Sequence, residues 1–499
     1  MHLITSAQMR AIEERAMDEM GIPSLILMEN AAQQCVKHIM TLLGDFWQSR
    51  KVVVVCGAGN NGGDGFAIAR LLHTKGVKTQ AAFIGERGKV KGDALINMEM
   101  AERMGCVVNA PLQVLLYSAD VIVDALFGTG LRGRLTDEKA AEAIELINAC
   151  PAPVVSVDIP SGVEADSGRV SKHAVYATTT VTFGLAKLGH MLHPGTEYAG
   201  QVIVEDISIP QELLVPEGAT LEVLDQITTP PRPVRSNKGD YGRVCVLAGS
   251  SDMPGAAALC CKAAYRAGAG LVHACVVPEV ARVIRAGTHE VITTAVAEYD
   301  FKSAEEAIQM ASAVAIGPGF GRDEPVQKFA REVIEFCGSE NVPIVADADA
   351  LIAIAADKSV LRSIQAANCV ITPHPGEMAA LTGQSIHEVV DDLVSCAQNF
   401  AEKYGVITLL KDARTIIAAP DGRTFINPTG TPALAKAGSG DVLTGVIAAY
   451  LAQGFESPHM AAVLAAYVHG RAGQLAAEAL SVHGVCAGDL PEYVAKALA

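Results

Sequence analysis

The chain has 499 residues, half of them apolar and only 19% charged, with a formal net charge of −16. That length and apolar content predict two or three domains with large cores rather than extended disorder. The acidic balance, with no lysine/arginine run, excludes nucleic acid as a partner. No uninterrupted apolar run reaches about 18 residues, so no membrane span is expected.

The start, MHLITSAQMRAIEERAM, is polar and does not read as a signal peptide. The 12 cysteines form no C-x-x-C pair, which points away from a zinc ribbon and toward a reduced, cytoplasmic protein. Thr5 to Gln8 fits a capping box opening a helix that ends near Gly21. The next stretch, SLILMENAAQQCVKHIMTLL, is apolar on most faces and is expected to be buried or self-associating, which favours a homo-oligomer. Glu29 and Asn30 interrupt it, facing either solvent or the edge of a site or interface.

Val52 to Val55 reads as a buried parallel strand. It runs into Gly57-Ala-Gly-Asn-Asn-Gly-Gly-Asp-Gly65, with a helix expected from Phe66. Strand, glycine loop and helix form the first unit of a doubly wound nucleotide-binding sheet. The embedded G-x-G-x-x-G is weak evidence alone; Asn60, Asn61, Gly63 and Asp64 make the loop unusual, and no Walker A signature occurs. Further strands are expected at 78–84, 120–124 and 153–158. The last two end in Asp124 and Asp158, each followed by a glycine-containing turn. In a parallel sheet such ends share one crevice, although a strand-terminal Asp also caps a following helix.

Residues 208–236 hold five prolines and read as a stiff connector. The expected domains are therefore 1–219 and 220–499.

The second half repeats the strand-turn-helix pattern. Strands are expected after Asn237-Lys-Gly-Asp-Tyr-Gly242, at 271–277, and before Gly317-Pro-Gly-Phe-Gly321, Asp347-Ala-Asp-Ala-Leu351, Pro373-His-Pro-Gly-Glu377 and Lys411-Asp-Ala-Arg414. This is a second three-layer α/β domain. In the stretch 427–454, Gly438-Ser439-Gly440-Asp441 precedes an apolar helix. Glycines there let N–H groups and the positive helix end face an anion. Asp441 at that mouth either removes a proton from a substrate hydroxyl beside a bound phosphate or caps the helix. His374 lies in a rigid turn, where ligand contact is favoured over packing. Asp347 and Asp349 are candidates for a hydrated magnesium ion or a structural pair. Lys411 and Arg414 either meet a nucleotide phosphate or are solvent charges.

GAGNNGGDG, DALFGTGLRG and VDIPSG, in that order, resemble the NAD(P)H-hydrate epimerase domain across about residues 1–215. The resemblance implies a Rossmann-like three-layer sandwich. It implies that Asn60, Asn61, Gly62, Gly63, Asp64 and Gly128, Thr129, Gly130, Leu131, Arg132, Gly133, Arg134 hold the hydrate. Asn61, Asp124 and Ser161 would bind a potassium ion, for which hard oxygen donors are suited. Asp158 would contact the substrate and act on it.

NKGDYG, GPGFG, DADAL, TPHPGEM, KDART and NPTGTPALAKAGSGDVLTG resemble the ADP-dependent NAD(P)H-hydrate dehydratases, of ribokinase-like fold, across about residues 228–499. Phe320 stands where that family more often has an aliphatic residue. By this resemblance Gly255, Gly319, His374 and Asp441 meet the hydrate. Lys411, Asp412, Ala413, Arg414, Thr415 and Gly440 meet the adenine nucleotide, with magnesium alongside and Asp441 catalytic. The order of the two resemblances is that of the bifunctional nicotinamide-nucleotide repair enzymes, whose substrates are NADH hydrate and NADPH hydrate. Two other readings stay open: an ATP-dependent ribokinase-like small-molecule kinase fused to a dinucleotide-binding module, and a binding module without turnover.

Overall fold

The structure, a computed structural model, describes residues 2–131, 133, 135–215, 221–224, 231–296, 300–364 and 368–499. The chain falls into two compact units, His2–Gly218 and Ala219–Ala499. The boundary expected at 219/220 lies outside the described residues, as do Arg132 and Arg134.

In the first unit, a parallel sheet runs in the order β3 (Lys78–Phe83), β2 (Lys51–Cys56), β4 (Val121–Ala125), β5 (Val154–Val157), β6 (Thr179–Phe183), β8 (Gln201–Glu205). β1 (His2–Ile4) pairs separately with β7 (Ala186–Lys187), also in parallel. Val52 to Val55 are fully buried, as a strand covered on both faces requires. One face is covered by the helices Ser24–Leu43, Asn60–Thr74 and Gly92–Arg103, the other by Leu112–Leu116 and Glu138–Ala149. The chain goes from β2 outward to β3 and then returns to β4 on the opposite side. The switch point therefore lies between β2 and β4, and ligands enter such sheets at the carboxyl ends there.

Three local expectations need correction. The helix after β2 starts at Asn60, not Phe66, because the asparagines and glycines already adopt its first turns. The helix Ser24–Leu43 is amphipathic. Leu27, Met28, Ala31, Ala32, Cys35, Val36, Ile39 and Leu43 face its own core, so self-association is not needed to bury it. Glu29 pairs with Arg70, and the Asn30 amide donates to the Ile207 carbonyl (3.1 Å) and Ser208 Oγ (3.0 Å), so both residues knit the domain together. The box at Thr5 is present: Thr5 Oγ1 accepts from the Gln8 N–H and Gln8 Oε1 from the Thr5 N–H.

The sheet of the second unit runs in the order β12 (Ile292–Ala295), β11 (Leu271–Val276), β10 (Arg243–Leu247), β13 (Ala313–Ile316), β14 (Ile344–Ala346), β15 (Cys369–Ile371), β16 (Ile407–Leu410), β17 (Ile416–Ala418), β18 (Thr424–Ile426), β9 (Leu221–Glu222). It is parallel from β12 to β16, and β17 pairs antiparallel with both β16 and β18. Its central helix, Ser439–Ala452, has twelve of its fourteen residues buried. Gly445 allows that depth: a Cβ there would stand 2.2 Å from the Cys260 carbonyl oxygen on helix Pro254–Arg266. Cys260 and Cys261 are fully buried and pack as small apolar residues. Among the described residues, no helix is long and apolar enough to cross a membrane.

Because the obstacle at 445 is backbone, Gly445→Ala is expected to lower the stability of the second unit by about 1–3 kcal/mol. A urea titration followed by circular dichroism checks this as a lower midpoint.

Candidate active sites

At the switch point of the first sheet lies a cleft of about 900 Å³. Its walls are Asn60, Asn61 and Asp64 from the helix Asn60–Thr74, the segment from Gly128 to Leu131 after β4, Asp158 after β5, and Glu13 from the helix Ser6–Asp18. The glycines of the loop have structural tasks. A Cβ on Gly57 would stand 2.0 Å from the Leu126 carbonyl oxygen, and one on Gly62 would stand 1.9 Å from that of Gly57. Only bare backbone lets the helix start drop between β2 and β4. Gly62 and Gly63 therefore pack inward, while their polar neighbours line the cleft. Gly133 is tied to Glu164, whose Oε1 accepts its N–H at 2.8 Å.

Asp158 has a left-handed backbone, φ 66°, a conformation that aspartate tolerates better than most residues. Its Oδ1 accepts from Lys187 Nζ at 2.6 Å and from Thr182 Oγ1 at 2.9 Å. Lys187 is 1% exposed and also donates to Thr182 Oγ1 and the Phe183 carbonyl. His190 Nδ1 accepts the Lys187 N–H (3.1 Å), which assigns the proton to Nε2, 2.8 Å from the Asp158 carbonyl. Burial pushes the Asp158 carboxyl up, but the Lys187 cation and these hydrogen bonds outweigh it and hold the group below the usual range. Burial drives His190 down to about 4, so the ring is neutral. The other cleft carboxylates go the opposite way. Burial, then Asp158 and Glu13, raise Asp64 well above its ordinary value; burial and Asp158 raise Glu13.

Beneath the cleft, Asp124 is fully buried. Its oxygens accept from Ser156 Oγ (2.8 Å), the Ser161 N–H (2.9 Å), Ser161 Oγ (2.5 Å) and the Leu126 N–H (3.3 Å). No cationic side chain among the described residues pairs with it, and burial raises its carboxyl despite these bonds. Asn61 Nδ2 is buried without a partner. A Cβ on Gly128 would come 3.1 Å from Asn61 Oδ1. An uncompensated carboxylate beside hydroxyl and amide oxygens is a donor set that fits an alkali cation.

In the second domain, the turns after β14, β15 and β16 meet the start of helix Ser439–Ala452. Lys411 Nζ donates to Asp347 Oδ1 at 2.8 Å, and Thr444 Oγ1 to Asp347 Oδ2 at 2.8 Å. Gly440 lies over this pair: a Cβ there would be 3.5 Å from both Asp347 Oδ2 and Lys411 Nζ. The helix is capped by Gly438, φ 93°, without a side-chain bond. Asp441 is therefore in the first turn and not the cap, and no hydrogen bond from the described residues holds its carboxylate. Burial, with Asp347 beside it and Lys411 partly offsetting, pushes Asp441 up to about 6. Burial would raise Asp347 and lower Lys411, but their attraction reverses both directions. Burial also raises Glu377.

Several expected residues have mixed positions. His374 does cap helix Pro375–Thr382: Nδ1 accepts from the Gly376 N–H (3.0 Å) and Glu377 N–H (3.3 Å), and its N–H donates to Glu377 Oε2. Its outer ring edge stays exposed. Gly319 abuts the start of helix Pro254–Arg266, where a Cβ would be 2.8 Å from Ala256 Cβ, bringing it to the neighbourhood of Gly255. Arg414 donates to the Pro428 carbonyl and so braces the 427–431 turn. Asp412 and Ala413 share the bend from β16 to Thr415 and β17. Asp347 is committed to Lys411 and Thr444. Asp349 accepts the Gly321 N–H (2.8 Å) and lies 3.5 Å from Arg322. Those two carboxylates are thus occupied by protein partners and do not form an open pair for a magnesium ion. Sequence reading missed Lys187, His190, Thr182 and Glu13 in one domain and Thr444 and Glu377 in the other. The available signals were a lone lysine in the apolar stretch FGLAKLG and the i, i+4 spacing of Gly440 and Thr444.

Two α/β domains, each with polar side chains gathered at the carboxyl ends of its strands, define a two-site enzyme class, and comparison with known proteins specifies it. Residues 244–496 match the family described as NAD(P)H-hydrate dehydratase, and residues 24–189 match that described as YjeF-related protein N-terminus. The bifunctional NAD(P)H-hydrate repair enzyme Nnr of Moorella thermoacetica is 39% identical, with 99% of this chain and 96% of the relative covered. Its namesake in Escherichia coli is 34% identical, with 96% and 90% covered. An ADP/ATP-dependent NAD(P)H-hydrate dehydratase from Bacillus subtilis, co-crystallised with ATP/Mg2+, is 31% identical (TM-score 0.46) and covers 54% of this chain and 93% of its own. The chain belongs to the family of bifunctional NAD(P)H-hydrate repair enzymes, with a Rossmann-like epimerase-type domain followed by a ribokinase-like dehydratase domain.

The two sites respond oppositely to loss of a charge. Lys187→Met strands Asp158 without its cation and is expected to destabilise the first unit by about 3–5 kcal/mol, measured by urea unfolding at pH 7. Asp441 has its pKa raised on folding, so its contribution to stability is full below about pH 4 and is lost as pH rises through about 6. Asp441→Asn is therefore expected to be more stable than the parent at pH 8, by at most about 3 kcal/mol. The difference vanishes near pH 4, as thermal melts across pH check.

Proposed function

We propose that the two clefts divide one repair between them: the first interconverts the R and S epimers of NADH hydrate and NADPH hydrate, and the second dehydrates the S epimer with ADP, releasing AMP and phosphate. The observation that carries the assignment of the second site is Asp441, a half-buried carboxylate free of hydrogen bonds at a glycine-lined helix start, titrating near 6. A base with that pKa is deprotonated at neutral pH yet still proton-seeking. Asp441 takes the proton of the substrate hydroxyl, whose oxygen attacks the terminal phosphorus of ADP as the bond to AMP breaks. The C6–O bond of the phosphate ester then breaks, inorganic phosphate departs, and loss of a proton from C5 to solvent restores the ring double bond of the reduced nicotinamide. The N–H groups of Gly438 to Gly440 face the transferring charge, and removal of such a donor costs about 3 kcal/mol of barrier. Lys411 adds a cation beside it, held by Asp347. Magnesium arrives on the nucleotide phosphates, since Asp347 and Asp349 already have protein partners.

In the first cleft, Asp158, kept ionised by Lys187, is the base that moves the proton as the hydroxyl is lost from C6 and water returns to the other face. Asn60, Asn61 and Asp64, with the Gly128–Leu131 segment, hold the hydrate. Asn61, Asp124 and Ser161 hold a potassium ion, whose charge balances Asp124. The protein acts in the cytoplasm as a homo-oligomer.

Recovery of reduced-nicotinamide absorbance from mixed hydrate epimers, with ADP, ATP or neither, tests the reading. Recovery is expected only with nucleotide, and AMP should form in step with it when ADP is supplied. Asp441→Asn should bind nucleotide as the parent does while dehydration falls by about 10²-fold or more. A parental rate removes Asp441 from the chemistry. Asp158→Asn, which the left-handed backbone tolerates, should slow conversion of pure R hydrate and leave S hydrate dehydration intact.

A further inference from the structure

Asp158 supplies the first cleft with a base, but epimerisation at C6 needs an acid as well. Hydroxide is a poor leaving group, and a positioned proton donor speeds such a step by about 10²–10⁴-fold. Asp158 is not that donor, because Lys187 keeps it ionised. Its Oδ1 is taken by Lys187 Nζ and Thr182 Oγ1, whereas no described residue donates to Oδ2, which is left for water or substrate.

Glu13 is in the opposite situation. Helix Ser6–Asp18 turns Met9, Ile12 and Ala16 into the core. Glu13, four residues after Met9 and three before Ala16, shares that inward face. There it forms part of the wall of the cleft that Asp158 also lines. It is partly buried, no described residue pairs with its carboxyl, and its oxygens stay open to the cleft. The helix is held firmly in place. β1 runs beside β7 with Ile4 opposite Lys187, so the helix starts next to the lysine that holds Asp158. The Ser6 N–H and Oγ both donate to Asp166 Oδ1, at 2.5 and 2.7 Å. Burial raises the Glu13 carboxyl most and Asp158 raises it next. Lys187 and Arg10 offset part of this, and Glu14 adds to the rise. The remaining acidic neighbour, Asp64 on helix Asn60–Thr74, is held well above its ordinary value and so gives up a proton less readily.

We infer, on the reading that the first cleft is the epimerase site, that Glu13 is the acid partner of Asp158: its carboxyl protonates the C6 hydroxyl of one epimer, and Asp158 takes a proton from the water that enters on the other face. The C6–O bond breaks with its electron pair on oxygen, which leaves as water, and the N1 lone pair forms a C6–N1 iminium. Water then adds to C6 from the opposite face, the pair returns to N1, and the added water's proton goes to Asp158. Transfer of that proton through cleft water to the Glu13 carboxylate resets the pair, so no co-reactant is consumed. The reverse epimerisation uses the same steps with the two roles exchanged. Two carboxyls whose surroundings push their protonation apart suit such a division.

The test uses the full chain without nucleotide, so that dehydration is silent, and follows pure R hydrate turning into S hydrate by chromatography across neutral and alkaline pH. In the parent, kcat/KM should fall as pH rises through the raised Glu13 value, because the proton to be donated is then lost. Glu13→Gln should lower kcat by about 10²–10⁴-fold, and its residual rate should lack the alkaline fall. Glu13→Asp, which keeps a carboxyl, should recover part of the rate and show the fall again, and Asp64→Asn should retain the fall. A parental kcat in Glu13→Gln, an alkaline fall that persists in it, or no recovery in Glu13→Asp removes Glu13 from the chemistry and leaves the assignment of the cleft standing. A parent that does not exceed the uncatalysed interconversion removes the assignment of the cleft, and Glu13 with it.

Discussion

Each domain depends on one lysine–aspartate pair at the carboxyl edge of its sheet: Lys187 with Asp158, and Lys411 with Asp347. In both, the aspartate follows a central parallel strand, and the lysine comes from a later one, at the end of β7 or just beyond β16. Asp347 and Lys411 meet because parallel strands of one sheet end at one edge, whereas Lys187 reaches Asp158 from the separate β1–β7 pair. Away from water a lone carboxylate is expensive to keep ionised, so the pair fixes one charge of each sign where neither would survive alone. The consequence reaches the neighbours. Burial pushes the next carboxyls in the same crevice (Asp64 and Glu13, Asp441 and Glu377) above their ordinary range, and the locked carboxylate beside them pushes them further. Two populations of acid, one held ionised at rest and so ready to accept a proton, the other raised above its ordinary range, are what proton-transfer chemistry requires.

The same logic explains why two unrelated reactions sit in similar architecture. In the first crevice the locked carboxylate itself lines the cleft and is the base of the proposed reaction. In the second the locked carboxylate anchors Lys411 and Thr444, and the proposed base is its neighbour on the helix.

Much of this was legible in the sequence. Continuous apolar runs such as Val52–Val55 and Ile407–Leu410 identify buried parallel strands, and the turns that follow them identify the crevice edge. Asp158 and Asp441 could be singled out because each stands beside glycines at such an edge. What was not legible depended on contacts distant in sequence. Lys187 looks like one basic residue in FGLAKLG; only the pairing of β1 with β7 buries it under Asp158. β6 was missed because Thr179, Thr180 and Thr182 break its apolar run, although all three are buried and the hydroxyls of Thr180 and Thr182 hydrogen-bond there. The start of the helix at Asn60 was hidden by its glycines, which by propensity disfavour helix and are present because Gly57, Ala94 and Ala125 leave no room for side chains at Gly62, Gly63 and Gly65. His374 was read as free for a ligand, but its ring nitrogen fills the cap position that a serine or aspartate usually takes.

The contact between Gly445 and the Cys260 carbonyl pins the central helix of the second domain near its middle, four residues from Asp441 and five from Tyr450. At 1.5 Å per residue the two arms are about 6 and 7.5 Å. With bare backbone on one side and a carbonyl on the other, that contact leaves the helix no room to carry a side chain there, so the seat of Asp441 is set from the middle of the core outward.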